Sequence, residues 1–229
     1  MPGREPSSTP STKNAVPTKA IIFDIGRVIV RVNLNRLLEP LAALLPSGAE
    51  AHAPGKLSPQ QVWAAIESDS RWGDWQKGRM TPRQWHEHLT GRLRVTMGYA
   101  EFCQAWNRAL DPETILEEAL FEKLGKRCRL ALLSNTDPLH SAHLESHFAF
   151  MKHFPVRIYS CRVGASKPSP AIYSAALGAL RVRPAEALYI DDIAEYAAAA
   201  QQLGLNAICF KSPAQLRAQL SNRGLLRDG

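Results

Sequence analysis

Residues 20–30 read AIIFDIGRVIV: four apolar residues, then Asp24, a glycine at position 26, and a second apolar stretch. An unbroken apolar tetrad suits a strand buried on both faces, and such strands belong to parallel sheets covered by helices on either side. Comparable runs recur outward from it, as KAIIFDI (19–25), RLALLSN (129–135), VRIYSC (156–161), ALYIDD (187–192) and NAICF (206–210), with helical patterns between them. The alternation predicts an α/β fold, a three-layer, Rossmann-like parallel sheet.

The composition sets outer limits. A chain of 229 residues, 45% hydrophobic, buries a sizeable core. No apolar run approaches the ~20 residues of a membrane span, and the first residues lack the apolar centre of a secretory signal, so a cytoplasmic location is the default expectation. Lys and Arg outnumber Asp and Glu by 28 to 21, a net charge of +7 that favours anionic partners. The basic residues are dispersed, without interleaved aromatics, which points to a small anionic substrate rather than nucleic acid. Cys103, Cys128, Cys161 and Cys209 form no C-x-x-C pair and read as free thiols.

Residues 1–18, rich in Pro, Ser and Thr, read as a flexible tail. Between the first two strand runs lies a long insert with no convincing strand. It reads as the helices LNRLLEPLAALL, SPQQVWAAIES, TPRQWHEHLTGRL, YAEFCQAWNRAL and PETILEEALFEKLG. Ser58-Pro59 and Thr81-Pro82 are good helix starts, an N-cap residue followed by Pro at the first helical position. A crossover needs only a dozen or so residues. The remainder therefore forms a helical cap, residues 34–109, over a core of 19–33 and 110–229. All five tryptophans, Trp63, Trp72, Trp75, Trp85 and Trp106, fall in this cap. They suit the core of a small helical unit, with one or two of them free to shape a substrate pocket.

In an open parallel sheet, ligands bind beyond the carboxyl ends of the strands. The residues there are Asp24, Ser134, Asn135, Asp191 and Asp192, with Lys167 in a loop before the helix SPAIYSAALGAL. These parts suit phosphoryl transfer to a carboxylate. Asp24 would attack phosphorus beside a Mg2+ ion held with Asp192, Asp191 standing behind it. Lys167 would offset the gathered negative charge, and Ser134 with the following amides would donate to phosphate oxygens.

FDIGRVIV, LLSNT, the lysine of GASKPSPAIY, and YIDD resemble, in order and spacing, the four motifs of the haloacid dehalogenase-like hydrolase superfamily. The likeness covers residues 19 to about 215, and the insert is similar to that family's small C1 cap. The FDxGxV form looks most like the branch holding bacterial glucose-1-phosphate phosphatase and the N-terminal domain of soluble epoxide hydrolase. The resemblance implies a Mg2+-dependent phosphatase acting on a small phosphorylated metabolite such as a sugar phosphate. It also implies a phospho-aspartate on Asp24, and a metal held by Asp24, the Gly26 carbonyl and Asp192.

Most phosphatases of the family carry a second aspartate where this chain has Gly26. That residue protonates the leaving alcohol, and such help is typically worth ~100 to 10,000-fold. Its loss leaves three readings: a substrate that needs little protonation, a substitute from the cap or from Arg27, or a module that binds phosphate compounds and turns over little. Arg27 would stabilise developing charge or grip a substrate anion. A 2-haloacid dehalogenase also lacks that aspartate, but its first motif differs and a retained aspartate pair argues for metal. Tyr196 stands where relatives commonly carry Asn, and reads as a packing residue. His140, His143 and His147 share a helical spacing and read as a solvated or partly packed face, with a transition-metal site as the alternative. His86 or His88 is a candidate replacement acid. The loop Gly78–Pro82 would face the substrate by analogy.

Overall fold

The computed structural model describes residues 16–45 and 58–226. Apart from residues 16–18, the segment read as a tail lies outside the described residues. Five parallel strands, β1 (Ala20–Phe23), β4 (Arg129–Ser134), β5 (Val156–Tyr159), β6 (Ala187–Asp191) and β7 (Asn206–Cys209), make one sheet in the order β5-β4-β1-β6-β7. Chain order runs outward from β1 to one edge and then resumes on its other side, so the crevice for ligands opens at the carboxyl end of β1.

Alternation along the strands sorts side chains to two faces. Ile21, Phe23, Leu130, Leu132 and Ile190 pack with Leu120, Phe121 and Leu216 on one side. Ala20, Ile22, Ala131, Leu133 and Tyr189 pack with Ile172, Tyr173 and Ala176 on the other. The first face is covered by α6 (Glu118–Gly125), α7 (Pro138–His147) and α11 (Pro213–Asn222), the second by α9 (Pro170–Leu180) and α10 (Ala194–Gln202). A single turn, α8 (Ser160–Val163), follows β5. The α/β fold expected from the apolar runs is the one observed.

The insert holds α1 (Leu34–Leu44), α2 (Pro59–Glu67), α3 (Trp72–Gln76), α4 (Pro82–Leu93) and α5 (Tyr99–Asn107) around a hydrophobic cluster of their own. Both Ser-Pro and Thr-Pro starts close as full capping boxes, with Gln61 and Gln84 returning a side-chain bond to the cap residue's N–H. Trp75, Trp85 and Trp106 are almost wholly buried, and Trp75 stacks on Trp85 at 5.6 Å and 7°.

Two expectations fail at the base of the insert. A short antiparallel ribbon, β2 (Val30–Val32) with β3 (Leu110–Thr114), stands there, and PETILEE is not one helix, since α6 starts only at Glu118. Pro112 removes a ladder donor, which a two-stranded ribbon tolerates because each strand is an edge. Two residue pairs with a register shift between them are too few for a periodic signal. Among the described residues, no helix is long and apolar enough to cross a membrane.

Candidate active site

Asp24 continues the line of β1, its N–H donating to the Ile190 carbonyl at 2.9 Å, so its side chain emerges at the sheet's carboxyl edge. The chain then turns sharply. Ile29 and Val30 both donate to the Ile25 carbonyl, and Arg27 takes φ +60°, the left-handed region that costs a non-glycine residue about 1 kcal/mol or more. Gly26 has no such need. A Cβ there would meet Val32 at 3.4 Å, an ordinary contact.

Lys167 ties the site together. Its Nζ lies 2.8 Å from Asp24 Oδ1 and 2.8 Å from Asp191 Oδ2, and all three residues are buried. Burial opposes the ammonium charge, but the two carboxylates outweigh it and hold the lysine pKa above its usual value. Asp24 is pushed up to about 6 by burial, with Lys167 pulling it down and Asp191 pushing it up. Asp191 has no spare oxygen: Oδ1 accepts from the Ile193 N–H at 2.8 Å, and Oδ2 takes Lys167 and the Tyr189 hydroxyl. Asp192 is different. Its Oδ2 meets Arg27 Nε at 3.0 Å, whereas its Oδ1 is buried without a hydrogen-bond partner. Burial raises the Asp192 pKa, against the pull of Arg27.

Oxygens of Asp24, Asp191 and Asp192 lie within 4.8 Å of one another, the only such group of acidic, His or Cys ligands among the described residues. Hard carboxylate oxygens with an unpartnered buried acceptor fit a hard divalent cation. The same observation disposes of the metal reading for the histidines. His143 and His147 stack on each other at 4.2 Å, and His140 turns away to Asp137.

A cavity of about 440 Å3 opens above these groups. Asp24, Gly26, Arg27, Ser134, Asn135 and Lys167 line its floor, so the structure gathers the predicted residues other than the aspartate pair on one surface. Asn135 has a further part in its side chain. Its Oδ1 accepts from the Lys167 N–H at 2.7 Å and its Nδ2 donates to the Lys167 carbonyl at 3.1 Å, so its amide orients the lysine loop. Tyr196, read as packing, also lines the cavity, with the Lys167 ammonium 5.0 Å from its ring centre. His86 bonds to the Met97 carbonyl and His88 to Asp69, and neither lines the cavity; nor does the Gly78–Pro82 loop.

Sequence reasoning passed over Asp137. It caps α7, accepting from the Leu139 and His140 N–H groups, while its other oxygen takes Trp106 Nε1 at 3.0 Å and His140 Nδ1 at 2.9 Å. His140 Nε2 lies 2.9 Å from the Trp106 carbonyl. With a carboxylate on one nitrogen and a carbonyl on the other, both nitrogens carry protons. Burial works against that charge, but Asp137 prevails and the His140 pKa is raised. The Asp-Pro pair at 137–138 was the available signal, an N-cap before Pro; the bonds to a cap tryptophan had none. A second tie joins cap and core where the Ser160 hydroxyl reaches the Gln76 carbonyl at 2.8 Å.

The sequence profile of haloacid dehalogenase-like hydrolases matches residues 18–204. The chain belongs to this family. A phosphatase of Mycobacterium tuberculosis is 28% identical over 186 residues, 71% of this chain and 82% of that protein. Mouse acyl-CoA dehydrogenase family member 10 is 30% identical over 103 residues, 43% of this chain and 9% of that protein. This chain thus spans about a tenth of the first curated relatives it matches. A HAD family enzyme from Bacteroides thetaiotaomicron, crystallised with magnesium and inorganic phosphate, superposes with a TM-score of 0.71 at 21% identity, covering 86% of this chain and 96% of that one. The family membership and the shared fold agree with the resemblance of the four motifs.

Proposed function

We propose that this HAD-like hydrolase is a Mg2+-dependent phosphomonoesterase acting on a small phosphorylated metabolite through a phospho-aspartate on Asp24. The reading rests on one observation: a buried carboxylate held by a buried ammonium, beside an aspartate oxygen that has no partner. Asp24, the Gly26 carbonyl and Asp192 would hold the ion, with Asp191 fixing Lys167 from behind. When bound, Mg2+ supplies positive charge that screens the phosphate from the attacking carboxylate. Asp24 attacks phosphorus, Ser134 and the backbone amides after it receive phosphate oxygens, and Lys167 balances the charge of nucleophile and phosphoryl group. Arg27, which lines the cavity, grips a substrate anion.

The relatives support this reading without fixing the substrate: one is named a phosphatase, and one was crystallised with magnesium and phosphate. The test is phosphate release from acetyl phosphate and p-nitrophenyl phosphate with Mg2+ or EDTA. Turnover is expected with Mg2+ only, and a loss of at least ~1,000-fold in Asp24→Asn. Full metal-dependent turnover by Asp24→Asn would overturn the nucleophile. No turnover by the wild type, together with phosphate binding, would make the chain a phosphate-ligand module instead.

A further inference from the structure

Building on the phosphomonoesterase reading, we propose that the substrate is an aryl phosphate, the monoester of a phenol or another hydroxyl-bearing planar ring. Two unrelated features meet in that class. The first is the leaving-group side of the cavity. Leu34, Leu37, Trp63, Trp72 and Trp106 line it from the cap helices, and only Glu67 and Gln76 add polar side chains there. Trp63 and Trp72 stand edge to face at 5.6 Å and 83°, each partly buried and open to the cavity. A sugar carries a hydroxyl on nearly every carbon, and this wall would leave most of them unpaired, a cost for each buried group. A flat ring loses nothing there and gains aromatic contact.

The second feature is Gly26. Its backbone does not need a glycine, and a Cβ would stand 3.4 Å from Val32, so neither the fold of the turn nor crowding at Cβ forces the side chain's absence. Among the cavity residues, His140 holds both its protons in bonds to Asp137 and Trp106, and Lys167 is committed to two carboxylates. With no acid at position 26 beside Asp24, the alcohol on this proposal departs as an anion; Glu67, on the cap side of the cavity, is the carboxyl that a Glu67→Gln variant would rule out as a proton donor. A phenol ionises near ~10, as tyrosine does, whereas a sugar alcohol lies nearer the ~15.7 of water. In the first step an Asp24 oxygen bonds to phosphorus and the bond from phosphorus to the aryl oxygen breaks. Its electron pair leaves on the phenolate, which takes a proton from solvent. In the second, a water oxygen bonds to phosphorus, the bond to Asp24 breaks and returns its pair to the carboxylate, and both water protons leave on the phosphate, which passes one to solvent.

The experiment measures kcat/KM with Mg2+ across phenyl phosphates graded from nitro to methyl substituents, beside glucose 6-phosphate and acetyl phosphate. Acetyl phosphate has a good leaving group and no ring, so it reports the hydrolase reading alone. The expectation is a steep fall along the phenyl series as the leaving group becomes more basic, and phenyl phosphate above glucose 6-phosphate by at least ~100-fold. Gly26→Asp flattens the series. Trp72→Ala lowers the ratio of phenyl to acetyl phosphate about tenfold, an internal comparison that does not depend on the amount of folded protein. Glucose 6-phosphate equal to phenyl phosphate, with acetyl phosphate turned over, would overturn the aryl assignment and leave the hydrolase standing. Failure on every ester and on acetyl phosphate would overturn both.

Discussion

Lys167 sits between two carboxylates that are themselves nearly inaccessible, and its removal leaves like charges a few ångströms apart with no counter-ion. Breaking a buried pair from one side typically costs about 3–5 kcal/mol. Lys167→Met is therefore expected to lose much of the protein's stability in EDTA and to regain part of it when Mg2+ is added, measured by thermal unfolding with and without the ion. A variant as stable as the wild type in EDTA would show that Asp24 and Asp191 are not both charged. At this scale Asp24, Ser134, Asn135 and the aspartate pair were readable because each ends an apolar run, where a polar side chain has no packing reason to be; Lys167, in a loop, was readable through the resemblance of GASKPSPAIY to a family motif. Asp137, His140 and Tyr196 were not readable. Their partners lie elsewhere in the chain, and Trp106 reaches Asp137 across 31 residues.

At the scale of elements, the junction of α5 with α7 carries a pH dependence. Asp137 is lowered despite burial, chiefly by the His140 charge, and His140 is raised despite burial by Asp137. The Asp137 contribution is complete above its unfolded value of about 3.8 and fades as pH falls through its lower folded value. The His140 contribution is complete below about 6.5 and fades as pH rises through its higher folded value. His143, on the same helix, and Cys161 also face this pair. The difference in melting temperature between wild type and His140→Gln should thus be widest from about pH 4 to 6.5 and narrow above it. A constant difference would show that His140 is not an imidazolium. Helix starts in the cap were legible from Ser58-Pro59 and Thr81-Pro82, since capping is local chemistry. The β2-β3 ribbon was not, because its pairing joins residues 80 or so positions apart and is too short to mark either strand.

Over the whole molecule the net charge is +7, and the proposed substrate is an anion. Long-range attraction of this kind raises the encounter rate and is screened by salt. For an anionic ester, kcat/KM should fall several-fold between low and high NaCl while kcat holds; a fall in kcat instead would place the salt effect within the site. The parallel sheet was legible because each buried strand announces itself in composition alone. The cap's inner arrangement was not, because which face of α2 or α3 meets the cavity is decided by packing among Trp63, Trp72, Trp85 and Trp106 rather than by spacing.

The Asn33 N–H donates to the Ala109 carbonyl at 2.8 Å, so the chain leaves the sheet side and returns to it at the same point. Seen from the sheet, everything from α1 to α5 is one very long turn with its ends pinned. The closure cost of such a turn grows by only about 0.6 kcal/mol for each doubling of its length. The insert is therefore free to be lengthened, trimmed or exchanged without disturbing the register of β1 against β4 and β6. On the proposed reading the nucleophile and its lysine stand on the sheet side while the aromatic wall stands on the insert, so the wall can be rebuilt with the nucleophile left in place.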